Sequence, residues 1–142
     1  MTISAILGNK GNEVVSVTAD QRVVDAVKLL AGRRIGAVPV MDGDAVAGVF
    51  SERDVIQCLA SEGAAALDKT VGEVMTAPAV TVTPREEALG ALSLMTRRRI
   101  RHLPVVEGNA MIGLVSIGDI VKYRIERIEA DAAAMRDYIQ SA

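Results

Sequence analysis

An internal duplication constrains this chain more than any other feature. Residues 15–56, VSVTADQRVVDAVKLLAGRRIGAVPVMDGDAVAGVFSERDVI, align without a gap on residues 80–121, VTVTPREEALGALSLMTRRRIRHLPVVEGNAMIGLVSIGDIV, at a constant offset of 65. Identical pairs include Val17/Val82, Thr18/Thr83, Ala26/Ala91, Leu29/Leu94, Ile35/Ile100, Pro39/Pro104, Gly48/Gly113, Ser51/Ser116 and Asp54/Asp119. Such self-similarity restricts the fold to two copies of one supersecondary unit. The 142 residues suffice for that pair to bury a real core.

Local rules give the content of one unit. Alternation in VVSV (14–17) and VTV (80–82) predicts a short strand. Asp20 or Thr83 then offers a helix cap, with Pro84 suited to a first turn. Val23, Val24, Val27 and Leu30 recur at helical spacing, as do Ala88, Leu89, Leu92 and Met95. AVPVMDGDAVAGVF and HLPVVEGNAMIGLV each read as strand–turn–strand, with Asp42-Gly43 and Gly108-Asn109 at the tips. A Ser-x-x-Asp step opens a second helix. The expected fold is α/β of the α+β type: β-α-β-β-α, twice. The expected division is residues 1–62 for the first repeat, 63–72 for a linker and 73–142 for the second repeat. The linker region also carries a helical turn at Val71–Met75. The last helix overhangs its counterpart, with Ile117, Val121, Ile125, Ile128, Ala132, Met135 and Ile139 in an apolar stripe that predicts a homodimer contact.

Composition narrows the function. Lys plus Arg number 16 against 18 Asp plus Glu, and Phe50, Tyr123 and Tyr138 are the only aromatics. A nucleic-acid binder needs a basic face and stacking surfaces, so the arginine cluster RRRIRH (97–102) argues only weakly for that partner. No apolar run approaches the ~20 residues of a membrane span, and the start lacks a signal-peptide pattern. With the single cysteine, Cys58, on an apolar helix side, the expectation is a cytoplasmic protein without disulfides. One histidine and no clustered acids make a metal site unexpected. The chain also lacks a G-x-x-x-x-G-K-[ST] loop and a nucleophile elbow. The chain therefore reads as a non-enzyme that requires no cofactor.

The duplication, the VGEVMTAPAVTV lead-in, the RRIGAVPV/RRIRHLPV strand and the GVFSERD/GLVSIGD exit resemble a pair of cystathionine-β-synthase (CBS) domains, a Bateman module, over about residues 5–125. That resemblance implies two β-α-β-β-α units packed with pseudo-two-fold symmetry, two clefts between them, and frequent dimerisation. It also implies an adenine nucleotide (AMP, ADP, ATP) or a related adenosyl ligand such as NAD(H) as regulatory ligand, read by a separate protein partner. Carried over residue by residue, one cleft takes Val15, Ile35, Gly36, Ser116 and Asp119. The other takes Thr76, Pro78, Val80, Ile100, Ser51, Arg53 and Asp54. Arg101 and His102 replace Gly36 and Ala37 of the first repeat, which assigns them to phosphate and makes the Asp119 cleft the preferred one. Where Thr76 stands in the second repeat, the first has Gly11-Asn12.

Each assignment has a plainer counterpart. Ser51–Asp54 and Ser116–Asp119 read equally as helix capping boxes, worth ~1 kcal/mol per helix, or as ribose and phosphate contacts. Ile35 and Ile100 read as core or as walls for adenine. Arg33/Arg98 and Arg34/Arg99 recur at helix C-termini, where they complement the dipole. The alternative functions are a ligand-free scaffold and, less favoured, nucleic-acid binding through the arginines.

Overall fold

The protein is described by a computed structural model covering residues 1–11 and 13–141. Its elements are α1 (Ile3–Lys10), β1 (Val17–Thr18), α2 (Val23–Arg33), β2 (Ala37–Asp42), β3 (Ala45–Ser51), α3 (Glu52–Glu62), a 3-10 turn (Gly63–Asp68), α4 (Val71–Val74), α5 (Ala88–Arg98), β4 (His102–Glu107), β5 (Ala110–Ser116) and α6 (Ile117–Ser141). The predicted β-α-β-β-α order is present twice, in a mixed fold with two small sheets. β1 pairs parallel to β2 and β2 antiparallel to β3; β4 pairs antiparallel to β5. Both hairpins turn on two residues, with Gly43 and Gly108 at φ of 63° and 62°, a conformation that suits glycine.

Two details of the unit differ from expectation. The opening strand is only Val17–Thr18 in the first repeat, and in the second it shrinks to one parallel bridge, Val82 to Val105. Asp20 and Thr83 do not cap the helices, whose N-caps are Arg22 and Glu87 without side-chain cap bonds. The turn before each helix is closed by the side chain of an equivalent residue instead. Thr18 N–H donates to Gln21 Oε1 at 2.8 Å, and Thr83 N–H to Glu86 Oε1 at 3.3 Å.

Each repeat builds its own core, but each core takes its lid from elsewhere in the chain. Phe50, Val38, Val40, Val23 and Leu30 are buried with Ala66 and Val71, so the segment expected as a linker, continued through Val74, Met75 and Thr76, seals the first core. Helix α1 seals the second: Ile3, Ile6 and Leu7 are buried with Val82, Met95, Leu103, Val105 and Ile120. The chain's first ten residues therefore pack with its second half. The repeat pattern does not include α1, although Thr2 caps it and Ile3, Ile6 and Leu7 have helical spacing.

The two lids sit on equivalent glycines. A Cβ on Gly48 would lie 2.7 Å from the Thr76 carbonyl oxygen, and one on Gly113 would lie 2.8 Å from Leu7 Cδ2. Over Gly48 the lid is also hydrogen-bonded, Val49 N–H to Thr76 O and Thr76 N–H to Val49 O, both at 2.9 Å. The halves meet again where Met111 N–H donates to Asp44 O at 2.9 Å.

Candidate functional site

Both Ser-x-x-Asp steps are capping devices in the folded chain. Ser51 N–H donates to Asp54 Oδ2 at 2.9 Å while Asp54 N–H donates to Ser51 Oγ at 3.4 Å. Ser116 and Asp119 repeat this at 2.8 and 3.2 Å. The helix-start amides are thereby satisfied. The two aspartates then diverge. Asp54, buried at 5% exposure, accepts at its other oxygen from Thr76 Oγ1 at 2.8 Å. Asp119 accepts from Lys10 Nζ at 2.6 Å, and the same ammonium donates to Leu114 O at 2.8 Å. Thr76 and Lys10 come from the two lids, so each carboxylate fastens a lid to the repeat beneath it.

The Lys10–Asp119 pair has a pH signature. Burial alone would raise the Asp119 carboxyl, but the Lys10 and Ser116 hydrogen bonds outweigh it and hold the pKa below the ordinary 3.8. A carboxyl depressed in the fold stabilises above its unfolded pKa, and that contribution is lost as pH falls through the folded value. Lys10→Met is therefore expected to destabilise the chain at pH 7 by up to about 1 kcal/mol, as for a partly exposed ion pair. The gap to wild type should close as the pH drops below 3.8. Denaturant titrations at pH 7 and pH 3 measure both values, and a gap of equal size at the two would contradict the assignment.

Beside Asp54 lies a cavity of about 230 Å³ between the repeats. Its wall includes Gly36, Ser51, Glu52 and Arg53 from the first repeat, the Thr76–Ala79–Val80 stretch, and Arg98 through His102 from the second. The elements explain the convergence. Glu52 N–H donates to Gly36 O at 3.0 Å and Ile117 N–H to Arg101 O at 2.8 Å, so in each repeat the start of the hairpin is tied to the start of its closing helix. Residues 36 and 101 thus flank the gap between the halves.

Charge in the cavity is mostly positive. Arg53, Arg98, Arg99 and Arg101 face one acid, Glu52, which pairs with Arg101 at 3.4 Å. His102 is half-buried; burial first, then the Arg101 and Lys10 charges, push its pKa below the ordinary 6.5. Burial and the neighbouring cations thus disfavour the charged form of the imidazole. Arg99 holds a left-handed C-cap, φ 55°, which turns the chain from α5 toward Ile100 and the cavity.

The structure regroups the expected residues. Ser51, Arg53, Thr76, Val80 and Ile100 line the cavity as one set, with Asp54 immediately behind Ser51 and Thr76. Pro78 is in the same segment, after a cis Ala77–Pro78 bond, but is not on the wall. Gly36, Arg101 and His102, expected with Asp119, also line this cavity, because β2 and β4 both begin at the mouth of the gap, while His102 stays opposite Ser116 in its hairpin. The other expected members of the Asp119 cleft do not join them there. Val15 packs on the first core, Ile35 lies in a groove between α2 and α3 with Ile56, and Asp119 is held by Lys10. Asn12 lies outside the described residues. Glu52, Arg98 and Arg99 are wall residues that sequence reasoning does not assign to the site. For the arginines the signal is present in the run 97–101, but their twins at 33 and 34 point to the helix dipole.

A family model for the CBS domain matches residues 10–61 and again 71–126. The chain is a CBS-domain pair. It is 36% identical, over 98% of its length and 72% of the relative's, to the mitochondrial CBS domain-containing protein CBSX3 of Arabidopsis thaliana. A solved CBS-domain protein of Agrobacterium tumefaciens superposes with a TM-score of 0.83 at 37% identity, covering 87% of this chain and 99% of that one. A CBS domain protein of Pyrobaculum aerophilum, solved in complex with AMP, superposes with a TM-score of 0.73 at 25% identity, covering 84% and 89%. Among the described residues, no helix of this CBS pair is long and apolar enough to cross a membrane.

Proposed function

We propose that this CBS pair is a regulatory module that binds an adenine nucleotide, AMP in the first instance, in the cavity beside Asp54. The observation that carries the reading is the chemistry of that cavity. Val80 and Ile100 supply an apolar wall, and Ser51 and Thr76, held from behind by Asp54, supply hydroxyls suited to a ribose. Four arginines against one glutamate give a net positive end suited to phosphate. The AMP complex of the Pyrobaculum protein supports the ligand class. Because the cavity is walled by both repeats, a bound nucleotide would favour one spacing of the halves, and a protein partner would read that spacing. The nucleotide acts as a regulatory ligand; the module needs no cofactor and performs no catalysis. The Lys10–Asp119 pair leaves the second carboxylate engaged within the chain, which favours one nucleotide per chain over two. The low charge balance and scarcity of aromatics speak against nucleic acid as the ligand. The lone buried thiol, Cys58, fits a reducing compartment, in keeping with a cytoplasmic protein.

A thermal-shift screen of AMP, ADP, ATP, NAD(H) and S-adenosylmethionine tests this. A true ligand at 100 times its Kd stabilises the fold by about 2.7 kcal/mol. No shift with any of them would leave the scaffold reading. His102 adds a second signature. Phosphate beside the ring raises a pKa that its surroundings otherwise hold below 6.5, so binding takes up a proton. AMP affinity should therefore rise as pH falls from about 7.5 toward about 6, and His102→Gln should flatten the profile. An affinity in wild type that is level over that range would place the phosphate away from His102.

A further inference from the structure

Helix α6 is 25 residues long, and its buried contact with the body is made by Ile120, with Ile117 and Tyr123 packed beside it. From Arg124 to Ser141 every residue is exposed except the half-buried Ala133, so about 27 Å of helix projects past the core. A solitary helix of that length is marginal in water. Its apolar residues nonetheless fall into one seam: Val121, Ile125, Ile128, Ala132, Met135 and Ile139, at alternating steps of four and three. Val121, Ile125, Ile128, Met135 and Ile139 are 46%, 50%, 55%, 58% and 65% exposed. This is a heptad pattern with Ile125, Ala132 and Ile139 at a and Val121, Ile128 and Met135 at d. The seam lies about 100° around the helix from Ile120; Val121 and Ile125, its first two members, border a groove with Leu89 and Leu92 of α5, and the later members lie clear of the body.

The flanking charges select the occupant. The g positions hold Arg124 and Asp131; the following e positions hold Glu129 and Arg136. In a parallel pair of identical helices, g contacts the next e of its partner. Arg124 then meets the partner's Glu129, and Asp131 meets the partner's Arg136, each twice by symmetry. An antiparallel pair in full overlap would instead set Lys122 against the partner's Arg136, Glu129 against the partner's Glu129 and Asp131 against the partner's Asp131. Among the described residues, none of Arg124, Glu129, Asp131 and Arg136 has an ion-pair partner within the chain. We infer that residues 121–139 form a parallel, in-register, two-stranded coiled coil with a second copy of this chain. This specifies which surface makes the dimer and in which orientation, and it is independent of nucleotide binding.

Sedimentation equilibrium of the full chain and of charge and seam variants tests the inference. Ile128→Lys, at an exposed position, is expected to raise the dimer dissociation constant about 100-fold or more through loss of two buried aliphatic side chains, with the circular dichroism of the body retained. Arg124→Glu weakens the dimer and Arg124→Glu combined with Glu129→Arg restores it, since each crossed pair is then reversed intact. Ile139→Cys, oxidised, reports orientation: the parallel arrangement gives a covalent dimer. A wild-type chain that is monomeric at tens of micromolar, a dimer indifferent to Ile128→Lys, or a dimer whose Ile139→Cys form does not cross-link would each overturn the proposal. AMP binding measured on the Ile128→Lys chain keeps the outcome separate from that of the nucleotide site.

Discussion

Asp54→Ala is expected to cost the fold roughly 2–3 kcal/mol and to weaken AMP binding at least about 100-fold. The stability loss has two sources: the cap of α3, worth about 1 kcal/mol, and the Thr76 hydrogen bond to the carboxylate, worth about 1.5 kcal/mol. Removing the carboxylate leaves the Ser51 amide and the Thr76 hydroxyl without the partner they hold at 2.9 and 2.8 Å. Binding suffers because Thr76 carries Ala79 and Val80 with it, and those residues form part of the cavity wall. Asp54→Asn separates the two effects. It keeps the volume and one acceptor, so the fold should recover most of its stability, while affinity stays at least about 10-fold down for lack of the charge. Equal recovery of both would make Asp54 purely structural. Chemical denaturation and calorimetry on the same samples give the two numbers.

Gly48→Val should be the most damaging change that touches no polar group. Valine favours strands, and β3 is a strand, so propensity alone predicts a gain. Contact predicts the reverse: the added Cβ falls 2.7 Å from the Thr76 carbonyl oxygen, 2.9 Å from Met75 Sδ and 3.3 Å from Ala77 Cβ. The nearest obstacle is backbone, pinned by two hydrogen bonds to Val49, and it cannot swing aside as a side chain can. Overpacking with partial loss of those bonds is expected to cost about 2–4 kcal/mol. AMP affinity should fall with it, because the displaced segment is the one that lines the cavity. Gly113→Ala is the internal comparison. Its nearest atom is the flexible end of Leu7, so the expected cost is about 1 kcal/mol. A Gly48→Val chain as stable as wild type would contradict the tight seating of the 75–77 segment on β3.

The duplication makes the repeat order, both hairpin tips and the long final helix legible in the sequence. Those features follow from local periodicity and from turn chemistry at Gly43 and Gly108, which act within a few residues. What is not legible depends on contacts between distant segments. Nothing near Ile3, Ile6 and Leu7 says that they close a core whose other members start at Val82. Arg101 and His102 stand out by having no charged twins, and His102 does lie opposite Ser116, but the sequence does not show that both also line the cavity shared with Ser51 and Thr76. Their side of the gap is set by how the halves meet, and the alignment of the repeats carries no information on that. Lys10 escapes sequence reasoning for the same reason: its bond to Asp119 spans 109 residues.

The most direct test of a nucleotide site beside Asp54 is a calorimetric titration of AMP into wild type, Arg101→Ala and Asp119→Ala. The expected result is one AMP per chain for wild type. Arg101→Ala should weaken binding about 10- to 100-fold through loss of a charge-assisted phosphate contact, and Asp119→Ala should leave it within about threefold. Binding that survives Arg101→Ala but disappears with Asp119→Ala would move the nucleotide to the carboxylate that Lys10 holds, and would contradict a site beside Asp54.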